Sequence, residues 1–299
     1  MPVQINHSIT DWRALAVGLR RSVEFDFWQD PHYQKLFGQF DQYINITGEV
    51  ARKTPLHGAR IVGGYNGDHI TNAIVARYLL AMGADFHFRP STTPSVEDIL
   101  DQAQTVHATG ILSPPEGENT RKGIFLRDIL EADARASGKD LWRLHTQLNP
   151  EFKFVIWSSM PISAGLHAHL QDERRIPYIK GHYGSTETAG TSSTCSQHPR
   201  DFHLEFAPNL VLIKRMDGPG IAAPDELGYT LVSKTAGVDA GGKIIPPNGT
   251  MILNFMTGDA ARLSRDGVAC TCGRNTPLLY DTQRVEFTQG KALFGCQVS

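Results

Sequence analysis

The chain has 299 residues, 40% of them apolar and 20% charged, with a formal net charge of −2. That balance excludes a disordered tail and leaves length for a large core or two subdomains. Mixed charge with no basic face argues against a nucleic-acid partner, and no run of about 18 apolar residues is present to span a bilayer. The start, Met1-Pro2-Val3-Gln4-Ile5-Asn6, has neither the basic opening nor the apolar stretch of a secretory signal. Four cysteines in such a chain point to thiols or a metal site over a disulfide framework. The expected setting is cytoplasmic, without a nucleic-acid or membrane partner, and the pattern fixes no oligomeric state.

Taken in chain order, residues 8–21 repeat Trp12, Leu15, Ala16 and Leu19 at helical spacing, while residues 25–52 show no clear period. Arg60-Ile61-Val62-Gly63-Gly64-Tyr65-Asn66-Gly67 reads as a buried strand running into a glycine-rich loop, followed by an apolar helix over 70–82. Ser95 with Asp98 opens another helix, with Val96, Ile99, Leu100 and Ala103 on one face. A strand at 110–112, a helix over 122–136, a strand over 152–159, a helix over 164–172 and a strand over 178–183 continue the alternation. Such alternation predicts a layered α/β sheet with flanking helices, whose ligands bind beyond the carboxyl ends of the strands, where Tyr65, Ser158 and Tyr183 fall. After Glu187 the pattern changes to β-rich runs at 204–214, 229–234 and 251–255, separated by Gly218-Pro219-Gly220 and Pro246-Pro247-Asn248-Gly249. The chain is therefore expected to divide into an α/β nucleotide- and acid-binding region, 1–190, and a mostly β region, 191–299.

The densest chemistry lies at Tyr183-Gly184-Ser185-Thr186-Glu187, followed by Thr188: an aromatic ring, then the Ser185 and Thr186 hydroxyls and a carboxylate on one turn after an apolar strand. A ring can stack on a base, hydroxyls and turn amides can bind phosphate, and a carboxylate can hold magnesium through hard oxygens. The same residues also serve an ordinary strand-exit turn, and Tyr183 also suits a core aromatic. Asp259 follows a glycine that lets backbone approach a ligand, so its two oxygens can take a vicinal diol or satisfy the local backbone.

These segments together resemble the adenylate-forming superfamily of acyl- and aryl-CoA synthetases. Tyr183-Gly184-Ser185-Thr186-Glu187 is similar to that family's core motif. Val155-Ile156-Trp157-Ser158-Ser159-Met160-Pro161 is similar to its apolar strand and adenine-edge turn, Glu226-Leu227-Gly228-Tyr229-Thr230-Leu231 to a strand entry, and Thr257-Gly258-Asp259 to the motif that binds ribose. The resemblance implies Tyr183 for adenine, Gly184, Ser185 and Ser159 beside the nucleotide, Thr186 for phosphate, Glu187 for magnesium and Asp259 for ribose. Arg284 falls near the family's ribose and phosphate arginine, although Val285-Glu286 follows it where the family has an acidic pair. Tyr65, Asn66 and Gly67 match an aromatic loop lining the acyl pocket.

The metal reading is separate. Cys270 and Cys272 stand two apart, so on an extended segment both sulfurs can face one ion, and Cys195, His198 and His203 offer two further donors. Inert buried thiols are the alternative. Cys270-x-Cys272-Gly273-Arg274 after Asp259, with Cys195 and His203 after Glu187, resembles the phenylacetate-CoA ligase branch. That likeness implies a structural zinc on Cys195, His203, Cys270 and Cys272, with His198 in reserve.

The family's lysine-ended phosphate loop would precede residues 2–8, and residues 293–298 resemble the segment before its small lysine-bearing C-terminal domain. The expectation is a large-domain portion: an α/β sheet plus a small distorted β-barrel. The implied chemistry is activation of a small, aromatic carboxylic acid with ATP and Mg2+ through an acyl-adenylate, AMP-bound, with CoA as second substrate. A degenerate ligand- or partner-binding module of the same fold, or a gene fragment, is the alternative.

Overall fold

The computed structural model describes residues 56–66, 69, 71–72, 79, 83–89, 94–116, 123–136, 143–184, 191–195, 197–204, 209–234, 237–238, 244–245, 252–265, 270, 272 and 276–285. The expected helices over 8–21 and, for most of its length, 70–82 lie outside the described residues. Two compact units are present, dividing between Ile179 and Lys180.

The first unit is a parallel sheet because its strands are short, apolar without alternation and joined by helices. Strands β1 (Arg60–Gly63), β2 (Asp85–Phe88), β3 (Gly110–Ser113) and β4 (Phe154–Ser158) run in the order β2-β1-β3-β4, all pairs parallel. Ile61, Val62, Ile111, Leu112, Val155, Ile156 and Trp157 are all buried, as strands covered on both faces require. Each such side chain contributes about 1.5–3 kcal/mol relative to exposure. Strand β2 was not legible: Asp85-Phe86-His87-Phe88 is four residues long and carries two polar groups.

Helix α1 (Val96–Thr105) begins where a capping box predicts. Ser95 Oγ accepts from Asp98 N while Asp98 Oδ2 accepts from Ser95 N, satisfying two amides the helix cannot. Ile99 and Ala103 bury its inner face. Helix α2 (Leu126–Arg135) starts later than the sequence predicts. Gly123 pairs with Tyr65, Ile124 N donates to the Gly64 carbonyl, and Leu126 N and Arg127 N donate to the carbonyls of Pro114 and Pro115. The residues ahead of Leu126 are thus spent on the exits of β1 and β3. Helix α3 (Ala164–Ala168), capped by Ser163, passes into a π-helical turn at His169–Glu173. That turn delivers Arg174 to Asp133 of α2, where Arg174 Nη1 donates to Asp133 Oδ2 and Nη2 to the Leu130 carbonyl.

The second unit is antiparallel. Strands β5 (Tyr178–Gly184), β6 (Thr191–Ser193), β7 (Phe202–His203), β8 (Asn209–Arg215), β9 (Gly228–Lys234), β12 (Ile252–Leu263) and β13 (Leu278–Arg284) follow the order β5-β6-β7-β13-β12-β9-β8. Strands β10 (Gly237–Val238) and β11 (Ile244–Ile245) form a separate pair. A β-carbon on Gly228 would stand 2.2 Å from the Lys214 carbonyl oxygen, so only glycine fits this entry to β9. The expected small barrel is not observed. Closure needs the two edge strands hydrogen-bonded to each other, and among the described residues β9 is the one strand that β8 pairs with. No helix among the described residues is long and apolar enough to cross a membrane.

Candidate functional site

Strand β12 breaks register with β9 between Met256 and Ala260, and with β13 between Ala260 and Arg262. Gly258 sits in the first break at φ +79°, a left-handed conformation cheap only for glycine. Such a bulge re-aims the side chains beside it. Here Asp259 stands opposite Arg284 in the ladder. Arg284 Nη1 donates to Asp259 Oδ1 at 2.8 Å and to the Thr257 carbonyl at 3.0 Å. The Tyr183 hydroxyl donates to Asp259 Oδ2 at 2.9 Å and lies 3.3 Å from Thr257 Oγ1. Thr257 Oγ1 also accepts from Asp259 N. Tyr183, Asp259 and Arg284, widely separated in sequence, therefore form one hydrogen-bonded constellation.

Burial, then the Asp259 charge, push the Tyr183 phenol well above its ordinary pKa, so it remains a donor. The Asp259 carboxylate spends one acceptor site per oxygen on Tyr183 and Arg284, and a carboxylate has about four such sites. The remaining acceptor capacity suits the two hydroxyls of a vicinal diol. The Tyr183 ring packs at a tilt on Phe202, centroids 5.4 Å apart. Gly184, exposed, closes β5 opposite Thr191. Ser185, Thr186, Glu187 and Gly67 lie outside the described residues.

A second cluster occupies the same unit. The donor atoms of Cys195, His203, Cys270 and Cys272 all lie within 4.8 Å of one another. Cys195 Sγ stands 3.8 Å from Cys270 Sγ, and Cys272 Sγ 3.5 Å from His203 Nε2. Tetrahedral zinc with bonds of about 2.3 Å to sulfur and about 2.0–2.1 Å to nitrogen sets edges of about 3.8 and 3.6 Å. The donor set and spacing thus fit zinc. His203 Nδ1 is 3.2 Å from Thr276 Oγ1, an outer partner that orients the ring with Nε2 inward. His198 N donates to Cys195 Sγ and Cys272 N to Cys270 Sγ. Burial raises the Cys195 thiol pKa, against the lowering effect of backbone amides. The His198 ring is directed to Asp201 instead, at 3.4 Å, and is not part of the cluster.

In the first unit, fully buried Tyr65 donates its hydroxyl to the Ser158 carbonyl at 2.8 Å and stacks on His69 at 4.8 Å, joining the exits of β1 and β4. The Asn66 carbonyl accepts from Asn72 Nδ2 and His69 N. Ser159 follows β4 at φ +73°, an uncommon conformation for a non-glycine residue. A concavity lined by Arg60, Val106, His107, Asn149, Pro150 and Glu151 lies at the opposite, amino ends of the strands. Its Arg60 is already committed to the Val106 and His107 carbonyls and to Glu151.

Three partners carried no signal of their own. Thr257 was visible only as part of a motif, and Phe202 and Thr276 gain their places through register with β13 and through the β12–β13 connection.

No family model and no curated protein matches the sequence. Solved structures do match. The chain is similar to an open conformation of 2-hydroxyisobutyryl-CoA ligase in complex with 2-HIB-AMP and CoA, with TM-score 0.56 and 10% identity over 90% of this chain and 48% of that one. It is similar to ATP-bound MatB from Rhodopseudomonas palustris, with TM-score 0.50 and 14% identity over 81% of this chain and 42% of that one. An ATP-bound RpMatB-BxBclM chimera matches with TM-score 0.51 and 15% identity over 83% and 43%. The fold is that of the adenylate-forming CoA ligases. The chain spans less than half the length of each of these structures.

Proposed function

We propose that this chain carries the nucleotide-binding part of an ATP-dependent acid-activating ligase. The observation that supports this most is the convergence of Tyr183, Asp259 and Arg284, all implied as nucleotide contacts by resemblance, on one carboxylate within this fold. In this reading Asp259 takes the ribose hydroxyls and Tyr183 borders the adenine. Arg284 fixes the orientation of Asp259. Ser159 and Gly184 lie along the nucleotide, Thr186 contacts phosphate, and Glu187 is the residue that would hold Mg2+.

The reaction joins a small carboxylic acid to ATP, giving an acyl-adenylate and pyrophosphate. A thiol such as CoA then displaces AMP to form the thioester. An aromatic acid lying toward Tyr65, Asn66 and Gly67, and the phenylacetate-CoA ligase-like branch, are the finer forms of this proposal. The division at 1–190 and 191–299 belongs to the same reading.

A structural zinc on Cys195, His203, Cys270 and Cys272 accompanies it. With four protein donors no position remains for water, so the ion would stabilise the fold and not act on substrate. The soluble setting proposed is cytoplasmic.

Calorimetric titration with AMP tests the core of the proposal. Hydrogen bonds to a charged group are worth about 1.5–3 kcal/mol, so Asp259→Ala should weaken AMP by about 10- to 100-fold. Unchanged AMP affinity in that variant would sink the assignment. Ligand-induced melting shifts across a panel of acids then test the acid class, and preference for long aliphatic acids would remove the aromatic reading.

A further inference from the structure

The cluster and the nucleotide constellation are built from the same strands. Cys195 follows β6, which pairs Ser192 with Tyr183 and Ser193 with His182. Thr194, its neighbour, is bonded both ways to Gly181, Thr194 N to the Gly181 carbonyl and Gly181 N to Thr194 Oγ1. His203 lies on β7 between Ser193 of β6 and Leu278 of β13. The adjacent Phe202, 2% exposed, carries the ring that meets Tyr183.

Cys270 and Cys272 lie in the connection between β12, which bears Asp259, and β13, which bears Arg284. A single ion on these four donors therefore ties the β6–β7 connection to the β12–β13 connection. Through the β5–β6 and β7–β13 ladders it bears on the strands that carry Tyr183 and Arg284. Without it β7 stays paired with β6 and β13, and the two connections lose the ligand bonds that would hold them to one point.

We propose that metal occupancy of the Cys195, His203, Cys270 and Cys272 cluster sets nucleotide affinity, with Phe202 as the positioning residue that transmits it to Tyr183. The proposal rests on the nucleotide and zinc readings above. Linkage makes the coupling reciprocal: if zinc strengthens AMP binding by some factor, AMP strengthens zinc binding by the same factor. Couplings of this kind span about 5- to 150-fold, and an effect near tenfold is expected here.

The experiment titrates AMP into the full zinc-loaded chain and into the same chain stripped by a chelator, with circular dichroism to check folding. In parallel, zinc is titrated with and without saturating AMP. Stripping should weaken AMP by about tenfold, and AMP should tighten zinc by an equal factor. Phe202→Leu, which removes no metal donor, should keep a full zinc content yet weaken AMP, and should bring the coupling factor close to one.

Equal AMP affinity in loaded and stripped folded chains overturns the coupling, as does an unchanged coupling factor in Phe202→Leu. If stripping unfolds the chain, zinc-loaded Phe202→Leu carries the test, and AMP affinity equal to that of the unsubstituted chain overturns the proposal. Failure of the underlying readings is visible separately. A chain that holds no zinc overturns the metal reading, a loaded chain that binds no AMP overturns the nucleotide reading, and either removes the coupling with it.

Discussion

The two units are held together by different means. Up to Ile179, parallel strands bury Ile61, Val62, Ile111, Val155 and Trp157, and the largest enclosed side chains, Trp157, Tyr65, Phe125 and Phe152, all belong there. From Lys180 onward the buried set is rich in polar groups: His182, Ser192, Ser193, Thr194, His203, Thr230, Ser233 and Thr257. Dispersion and apolar burial, which are non-directional, carry the first unit. In the second, directional bonds join apolar burial at Phe202, Ile213, Leu231, Val232 and Leu279, and buried polar groups are stabilising only where their partners are in place. The unit that depends on geometry is the one that can hold a ligand to fixed atoms.

Removing the ion proposed at the cysteine and histidine cluster should separate the two most strongly. Structural zinc contributes on the order of 10 kcal/mol to small folds that depend on it. Chelation, or Cys270→Ser, is expected to accelerate amide hydrogen exchange across β6, β7, β12 and β13, while β1, β3 and β4 keep their protection. Uniform loss of protection in both units would break the comparison. Elemental analysis should find about one zinc per chain before chelation and none after it.

A buried ionic network among the described residues of the first unit sharpens the contrast by its cost. Asp133, 2% exposed, accepts from Arg174, and Arg143 Nε lies 3.2 Å from its other oxygen. Asp133→Ala strands a buried guanidinium and should destabilise the chain by about 3–5 kcal/mol in urea unfolding. Asp133→Leu combined with Arg174→Met, which removes both charges, should recover most of that loss. A single substitution costing under about 1 kcal/mol would mean that water reaches Arg174.

What the sequence revealed follows the same division. Strands β1, β3 and β4 and helix α1 were legible because burial and capping are local signals: a run such as Phe154-Val155-Ile156-Trp157 needs no partner to be recognised. The start of α2 was not, because Gly123 and Ile124 are claimed by Tyr65 and Gly64 far back in the chain. Strand β13 was missed because Leu278-Leu279-Tyr280-Asp281-Thr282-Gln283-Arg284 mixes polar groups with a bulged Asp281 at φ +51°. At the site, Tyr183, Asp259 and the cluster residues stood out by type and by resemblance. The Asp259–Arg284 pairing sits between two register breaks of β12, with β9 around Gly258 and with β13 after Ala260, which no residue pattern announces.

A smaller effect tests the local signals. Ser95→Ala removes the side-chain acceptor for Asp98 N and should cost about 1 kcal/mol. The loss should appear as a lowered urea midpoint with an unchanged slope, since a cap alters stability and not the area exposed. Full stability in Ser95→Ala would mean that tertiary packing alone fixes the start of α1.

The smallest effect lies in the second unit at high pH. The Tyr280 hydroxyl donates to Asp225 Oδ1 at 2.8 Å, and burial together with that carboxylate raises its pKa from 10.0 to about 12. In the unfolded chain the same phenol loses its proton near 10. Between those values the unfolded state holds fewer protons than the folded one, so stability falls as pH rises. This contribution is fully present below pH 10, declines through the interval and is gone above about 12. It is small because solvent around the Tyr280 hydroxyl screens the interaction. Tyrosinate absorbance should show Tyr280 ionising late, Tyr280→Phe should remove that late step, and the alkaline slope of the melting temperature should flatten in the variant. A slope unchanged by Tyr280→Phe would show that the bond to Asp225 adds nothing to folding, and would leave Tyr183 and Cys195, whose phenol and thiol pKa values are also raised, as sources of alkaline loss in this unit.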